Sequence, residues 1–572
     1  MTMSVSGNRG NNLPKAALWL TVGVTLLVVA WLVPVNLKSL TPALLREAGH
    51  GSPSVAQYGK QLVESEKLGP AQLVLSAARL VDDKDAGALD RAIKELAGQR
   101  PEWVVWGGGD PFLEPLINQP ENAGRTESTP VLTFFITEKA RRSLENFLTG
   151  SRSLGVQAIL RTRAIEGTSR FVPAGKPGGQ ALDAVILLTA LLYQSENLSA
   201  SLQRELRGLA DEAAKQQRLA ALEPFFIDLL SLGKRLNWAQ LCELLRKTDS
   251  TKTAGEYAHL ARVAKDNLPI IYTAALFSNS ADKVASYLIQ YGKAGLEDLR
   301  LALVQGQGAA QLLLQQQLPL NRDAAPSLAG VAAFALLNPK LALLLKYLGF
   351  LVGAFAVFRG LEFSLRTGAV PDSPLRLKSG ALALLIAAFL VLATEPFLLK
   401  AIPASEFKFK LLLPVLATIT DANPQPPSAS SPIMENSTLL SIGFFAALQI
   451  IMYVLCLMKI REVSRAPVSP LVKLRLMENE ENLFDGGLYI GIAGTAASLV
   501  LQVLGLIQSN LLAAYSSNLF GIVCVAIVKI RHVRPYKRLL ILESQTATAG
   551  TIIAPSVAPA SVVKSAPVAN AS

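Results

Sequence analysis

The sequence predicts a mainly α-helical, polytopic membrane protein with about six membrane-spanning helices and one large, mostly helical extracytoplasmic domain that has room for a small αβ patch. Three observations carry this prediction. The chain of 572 residues is 51% hydrophobic and only 17% charged, against about 25% charged in a soluble globular chain. Its uncharged apolar runs are long enough for spanning helices, which need about 20 residues each. Its Lys and Arg bracket those runs instead of forming a basic face.

The formal net charge is +12. A nucleic-acid surface would cluster that charge with interleaved aromatics. The bracketing pattern is topological and follows the positive-inside rule, so no nucleic-acid partner is expected. Cys242, Cys456 and Cys524 form no CxxC pair, and His50, His259 and His532 are far apart in the chain. No metal or cofactor is expected from such spacing.

Residues 1–15 read as a cytoplasmic N-terminus and 16–37 as a first span and signal anchor, since no charge lies between Lys15 and Lys38. Residues 341–358 form a second span, with Lys346 near one end snorkelling to the interface. A third covers 379–399, broken only by Glu395. An external loop, 400–436, holds a short interfacial run at 411–420 and a Pro/Ser-rich stretch. A fourth span is 437–458, followed by a cytoplasmic loop at 459–486. Between Asp485 and Lys529 there is no charged residue at all. That stretch suits two helices, 487–507 and 511–528, turning at Gln508-Ser509-Asn510. Residues 529–572 read as a basic cytoplasmic segment that runs into a disordered tail from Thr546.

Orientation follows from the loops. Arg359, Arg366, Arg376 and Lys378 lie in one short loop. Lys459, Arg461, Arg465, Lys473 and Arg475 lie in another, and Lys529, Arg531, Arg534, Lys537 and Arg538 follow the last span. With six spans all fall on one side. Both termini are then cytoplasmic and 38–340 extracytoplasmic, in a bacterial-type inner membrane.

Residues 38–340 show helical periodicity at Leu202, Leu206, Leu209 and Ala213, and at Val284, Leu288 and Ile289. Gly292 and Gly295, then Gly306 and Gly308, punctuate helical hairpins. Val131 to Ile136 and Val156 to Arg161 read as short strands. Trp106-Gly107-Gly108-Gly109-Asp110 lacks the lysine and spacing of a phosphate loop and reads as a structural turn. Pro173 to Gly179 reads as a surface loop, because its prolines remove donors that a phosphate cradle needs.

The terminal hairpin is rich in small and hydroxyl residues. Gly487, Gly491, Thr495 and Ser498 share one face of its first helix, with Gly494 beside them. Ala513, Ser517 and Gly521 share one face of its second, next to Asn518. Such faces let helices pack closely in lipid. Thr495, Ser498, Ser517 and Asn518 also place polar groups at membrane depth, where they line a candidate hydrophilic path. Glu395 is the one acidic residue well inside an apolar run. It reads either as a solvated interfacial glutamate or as a proton site.

Ile490-Gly491-Ile492-Ala493-Gly494-Thr495 resembles the LGLLGT stretch of the MotA/TolQ/ExbB proton-channel family. Ala514 to Gly521, with Asn518 where that family has its second threonine, resembles the family's ALxTTxxG stretch. The resemblance covers about residues 437–540. It implies a homo-oligomer whose hydroxyls, here Thr495 and Ser517, line an interior facing an acidic residue on a separate, single-helix membrane partner.

Three functions follow as expectations: an ion-channel-like or energy-coupling subunit with an envelope-facing domain; a non-conducting scaffold or sensor whose outer domain binds an envelope protein; and a transporter. No nucleophile–base pair or cofactor loop is legible, so an enzyme is not expected.

Overall fold

The computed structural model describes residues 12–110, 112–113, 127–324, 326–365, 375–399, 405–407, 436–503 and 511–552. The described residues are mostly helical, with no strands. They separate into two compact units. One comprises Val28–Tyr347 with Ile402–Pro426; the other comprises Met1–Leu27, Leu348–Ala401 and Pro427–Ser572.

The first unit is built around two helices buried on all sides, as expected where neighbours cover every face. In Gln180–Gln194, every residue from Leu182 to Leu192 is buried. In Leu268–Ser278, Ile270 to Phe277 are buried. The first packs against Glu138–Thr149, Leu154–Arg161 and Leu222–Gly233; the second packs against Leu68–Leu80, Ala281–Gln305 and Gln307–Gln316. Outer helices such as Ala200–Gln216 bury Leu202, Leu206, Ala210 and Ala213 and turn their charges to solvent.

Several carboxylates inside this unit are held by neighbours, whereas other buried polar atoms, including Tyr257 Oη, Thr273 Oγ1 and Trp106 Nε1, have no hydrogen-bond partner among the described residues. Asp183 receives both Arg141 (2.9 Å) and Arg163 (2.7 Å). Asp298 receives Arg322 at 2.8 Å, the Tyr287 hydroxyl at 3.2 Å and the Leu320 N–H at 3.0 Å. The Glu223 carboxylate accepts the N–H groups of Ser169, Arg170 and Phe171 and the Ser169 hydroxyl.

Both expected strands are helices: Leu132–Phe135 and Leu154–Arg161. The second starts at Ser153, whose hydroxyl accepts the Val156 N–H, a cap that outweighs the β-rich composition. No αβ patch exists among the described residues. The Gly-rich turn is structural. Gly107 (φ +85°) takes the left-handed conformation, its carbonyl accepts the Gly69 N–H at 2.7 Å, and Asp110 accepts Trp238 Nε1 at 2.7 Å. Gly292 (φ +59°) kinks Ala281–Gln305 where the sequence predicts a turn.

Lys346 does not snorkel. It is 2% exposed, and its ammonium donates to the Val35 carbonyl at 2.8 Å and to Asn36 Oδ1 at 2.7 Å. Those acceptors meet the demand of a buried cation for hydrogen-bond partners.

Three described helical stretches are long and apolar enough to cross a membrane: Pro14–Leu32, Pro339–Ser364 and Tyr515–Gln545. In the second unit, Gly23 meets the helix Pro339–Leu365 closely. A Cβ at Gly23 would stand 2.7 Å from the Val357 nitrogen, and one at Gly360 would stand 3.1 Å from the Ala16 carbonyl oxygen. Small residues at a helix crossing are what lipid-embedded packing requires.

The described residues of the other predicted spans are mostly helical as well. Leu375–Thr394 stops at Glu395 because Pro396 cannot donate and disfavours a helical residue before it. Asn436–Arg465, Gly486–Val503 and Leu511–Ile527 follow. After the last, a π-helical stretch, Val528–Val533, leads into Arg534–Ile552. Residues 546–552 therefore continue a helix, where the sequence predicts the start of a disordered tail. The interfacial run 411–420 and the turn 508–510 lie outside the described residues.

Candidate functional site

The candidate site is the bundle of three helices in the second unit, Asn436–Arg465 and the hairpin Gly486–Val503 and Leu511–Ile527. The glycines set its spacing. A Cβ added at Gly521 would stand 2.5 Å from the Gly487 carbonyl oxygen, and one at Gly491 would stand 3.0 Å from the Ser517 carbonyl oxygen. A Cβ at Gly494 would overlap the Ser517 hydroxyl and come within 2.9 Å of the Phe445 ring. The hairpin helices touch through backbone, as their small-residue faces predict.

The expected site residues divide. Thr495 donates to the Gly491 carbonyl at 2.9 Å and is half-buried; Ser517 donates to the same carbonyl at 3.3 Å and is fully buried. Asn518 is half-buried, and its Oδ1 is enclosed with no hydrogen-bond donor. Ser498 and Ala513 lie on the two helices, but their side chains fall outside the described residues. Glu395 is fully buried, which departs from the interfacial, solvated reading.

The sequence did not single out Gln449. Its Nε2 donates to the Gly487 carbonyl at 3.0 Å, its own carbonyl accepts the Cys524 thiol at 3.6 Å, and its Oε1 is buried without a donor. A lone glutamine in the uncharged, mainly apolar 437–458 run was the available signal.

One end of the bundle is closed by charge and aromatic contacts. Lys529 meets Asp485 at 2.7 Å and Glu481 at 3.9 Å, and Lys459 meets Glu480 at 3.1 Å and Glu462 at 3.5 Å. Tyr453 Oη lies 2.9 Å from His532 Nε2. Met452, Cys456, Met477, Phe484, Cys524 and Val528 form the apolar cluster beside them.

Among the described residues, no group of three His, Cys, Asp or Glu side chains is placed to hold a metal ion. No family model matches the chain, and no curated protein or solved structure matches it.

Proposed function

We propose that this chain is an ion-channel-like or energy-coupling subunit of a bacterial-type cytoplasmic membrane, of the MotA/TolQ/ExbB kind. In this reading it spans the membrane six times, with both termini cytoplasmic and 38–340 projecting into the envelope to bind a protein there. It forms a homo-oligomer around a small single-helix partner that carries an acidic residue.

The observation that carries this reading is the orphaned Asn518 Oδ1 at the hairpin. A buried acceptor in an apolar setting needs a donor. The O–H of a protonated carboxyl on a partner helix is such a donor, and Thr495 sits one helix away. Native mass spectrometry of the protein in mild detergent tests this. A pentamer carrying a single-helix partner supports it, and a stable monomer overturns it.

A second reading, a non-conducting scaffold or sensor, is favoured by Ser517. Its complete burial and its bond to Gly491 suit helix packing. In that reading the outer unit does the work by binding an envelope protein. A purified outer surface that captures no envelope protein would remove it.

A further inference from the structure

We propose that the helix Ala329–Leu337 is an interfacial anchor, lying at the surface of the lipid bilayer with Phe334 and Leu337 in contact with lipid. This rests on the reading of Pro339–Leu365 as a membrane span.

The argument starts from an inverted pattern. In a soluble helix the large apolar side chains face inward and charge faces out, as Ala200–Gln216 does in the same unit. Ala329–Leu337 does the reverse. Its fully buried residues are the small Ala332 and Ala335, at 2% and 1% exposure, with Leu336 partly buried against the core, whereas Phe334 and Leu337 point away at 39% and 79%. Leu328, at the N-cap, is 66% exposed. No charge lies between Asp323 and Lys340, so no polar face is offered to water.

Continuity identifies what covers this face. Only Asn338 separates the helix from Pro339–Leu365, whose Leu341 and Leu344 are likewise exposed, at 46% and 61%. Exposed apolar side chains thus continue from the short helix onto the start of the span, with Asn338 and Lys340 between them. Lys340 at the junction has the long stem that carries an ammonium up to the headgroups. A short helix bedded at the boundary of headgroups and acyl chains is a recognised mode of attachment.

The test uses the full chain in lipid nanodiscs. Leu344→Cys, Phe334→Cys, Leu337→Cys and Arg207→Cys are each labelled with a nitroxide, and collision with oxygen is compared with collision with a water-soluble nickel chelate. The native Cys242, Cys456 and Cys524 are buried, so unsubstituted protein supplies the background. The expected result is a deep signal at 344, a shallower lipid signal at 334 and 337, and an aqueous signal at 207. Lipid at 344 with water at 334 and 337 overturns the anchor and leaves the span intact. Labels at 334 and 337 shielded from both reagents overturn it in favour of a protein cover. Water at 344 removes the span itself, and the anchor with it.

Discussion

Thr495 and Ser517, on neighbouring helices of one hairpin, donate their hydroxyls to the same acceptor, the carbonyl oxygen of Gly491, at 2.9 and 3.3 Å. The first bond lies within a helix and the second crosses between helices. Inter-helix hydroxyl bonds in membranes average about 0.6 kcal/mol. Thr495→Val with Ser517→Ala should therefore leave the purified protein folded. If the hairpin conducts, the double variant lowers proton flux in proteoliposomes by roughly tenfold, the loss that about 1.4 kcal/mol brings. Unchanged flux would assign both hydroxyls to packing.

Gly521→Leu tests the packing itself. Its Cβ would meet backbone, the Gly487 carbonyl oxygen at 2.5 Å, and backbone cannot rotate aside. Overpacking of this kind costs about 1–3 kcal/mol and more where the neighbour cannot yield. The variant should unfold at lower temperature in detergent and lose any oligomer. Gly87→Leu, where nothing stands near the added Cβ, is the matched control and should behave as the parent chain does.

The pair that closes the hairpin shows how far the sequence can be read. Asp485 and Lys529 were legible as the two charges bounding the longest uncharged stretch, and they meet each other at 2.7 Å. The glycine faces were legible for the same reason: spacing in a helix fixes direction. Gln449 was not, because nothing in a single helix says which neighbour it will face. The short runs at 131–136 and 156–161 were misread because a brief apolar segment has no decisive period. The cap at Ser153 settled the second of them. Lys346 was misread because its acceptors, Val35 and Asn36, lie far away in sequence. A double-mutant cycle on Asp485→Asn and Lys529→Met should give a coupling of about 0.5–1 kcal/mol, the range for partly exposed pairs. A value near zero would make the pair incidental.

Glu223 predicts acid sensitivity. Burial pushes its carboxyl up, but the Ser169 hydroxyl and the N–H groups of Arg170, Ser169 and Phe171 outweigh it and hold it below the usual carboxylate range. A depressed folded pKa contributes stability above the unfolded value of about 4.3, lost as pH falls through the folded value. Glu223→Gln should cost about 1–3 kcal/mol at pH 7, since a buried set of donors loses its anion. The cost should shrink as pH drops below 4. Thermal unfolding across that range, with and without the substitution, checks it. A pH-independent difference would contradict the assignment.

Asp228, on the same helix, predicts the opposite sign. Burial against Gly255 pushes its carboxyl up to about 6, although Arg262 and Arg170 pull it down. A raised folded pKa favours the protonated acid in the fold. The penalty is absent below the unfolded value of about 3.9, grows as pH rises toward 6 and is constant above that. Asp228 is half-buried and screened by solvent, so the penalty at neutral pH is on the order of 1 kcal/mol. Asp228→Asn should raise the melting temperature at pH 7.5 and leave it unchanged at pH 4, whereas Glu223→Gln lowers it at pH 7.5. Two carboxyls on one helix thus give opposite pH signatures because one is ringed by donors and at the other the loss of solvent outweighs the nearby arginines. A stabilising effect of Asp228→Asn that persists at pH 4 would mean that the carboxyl acts through shape and not charge.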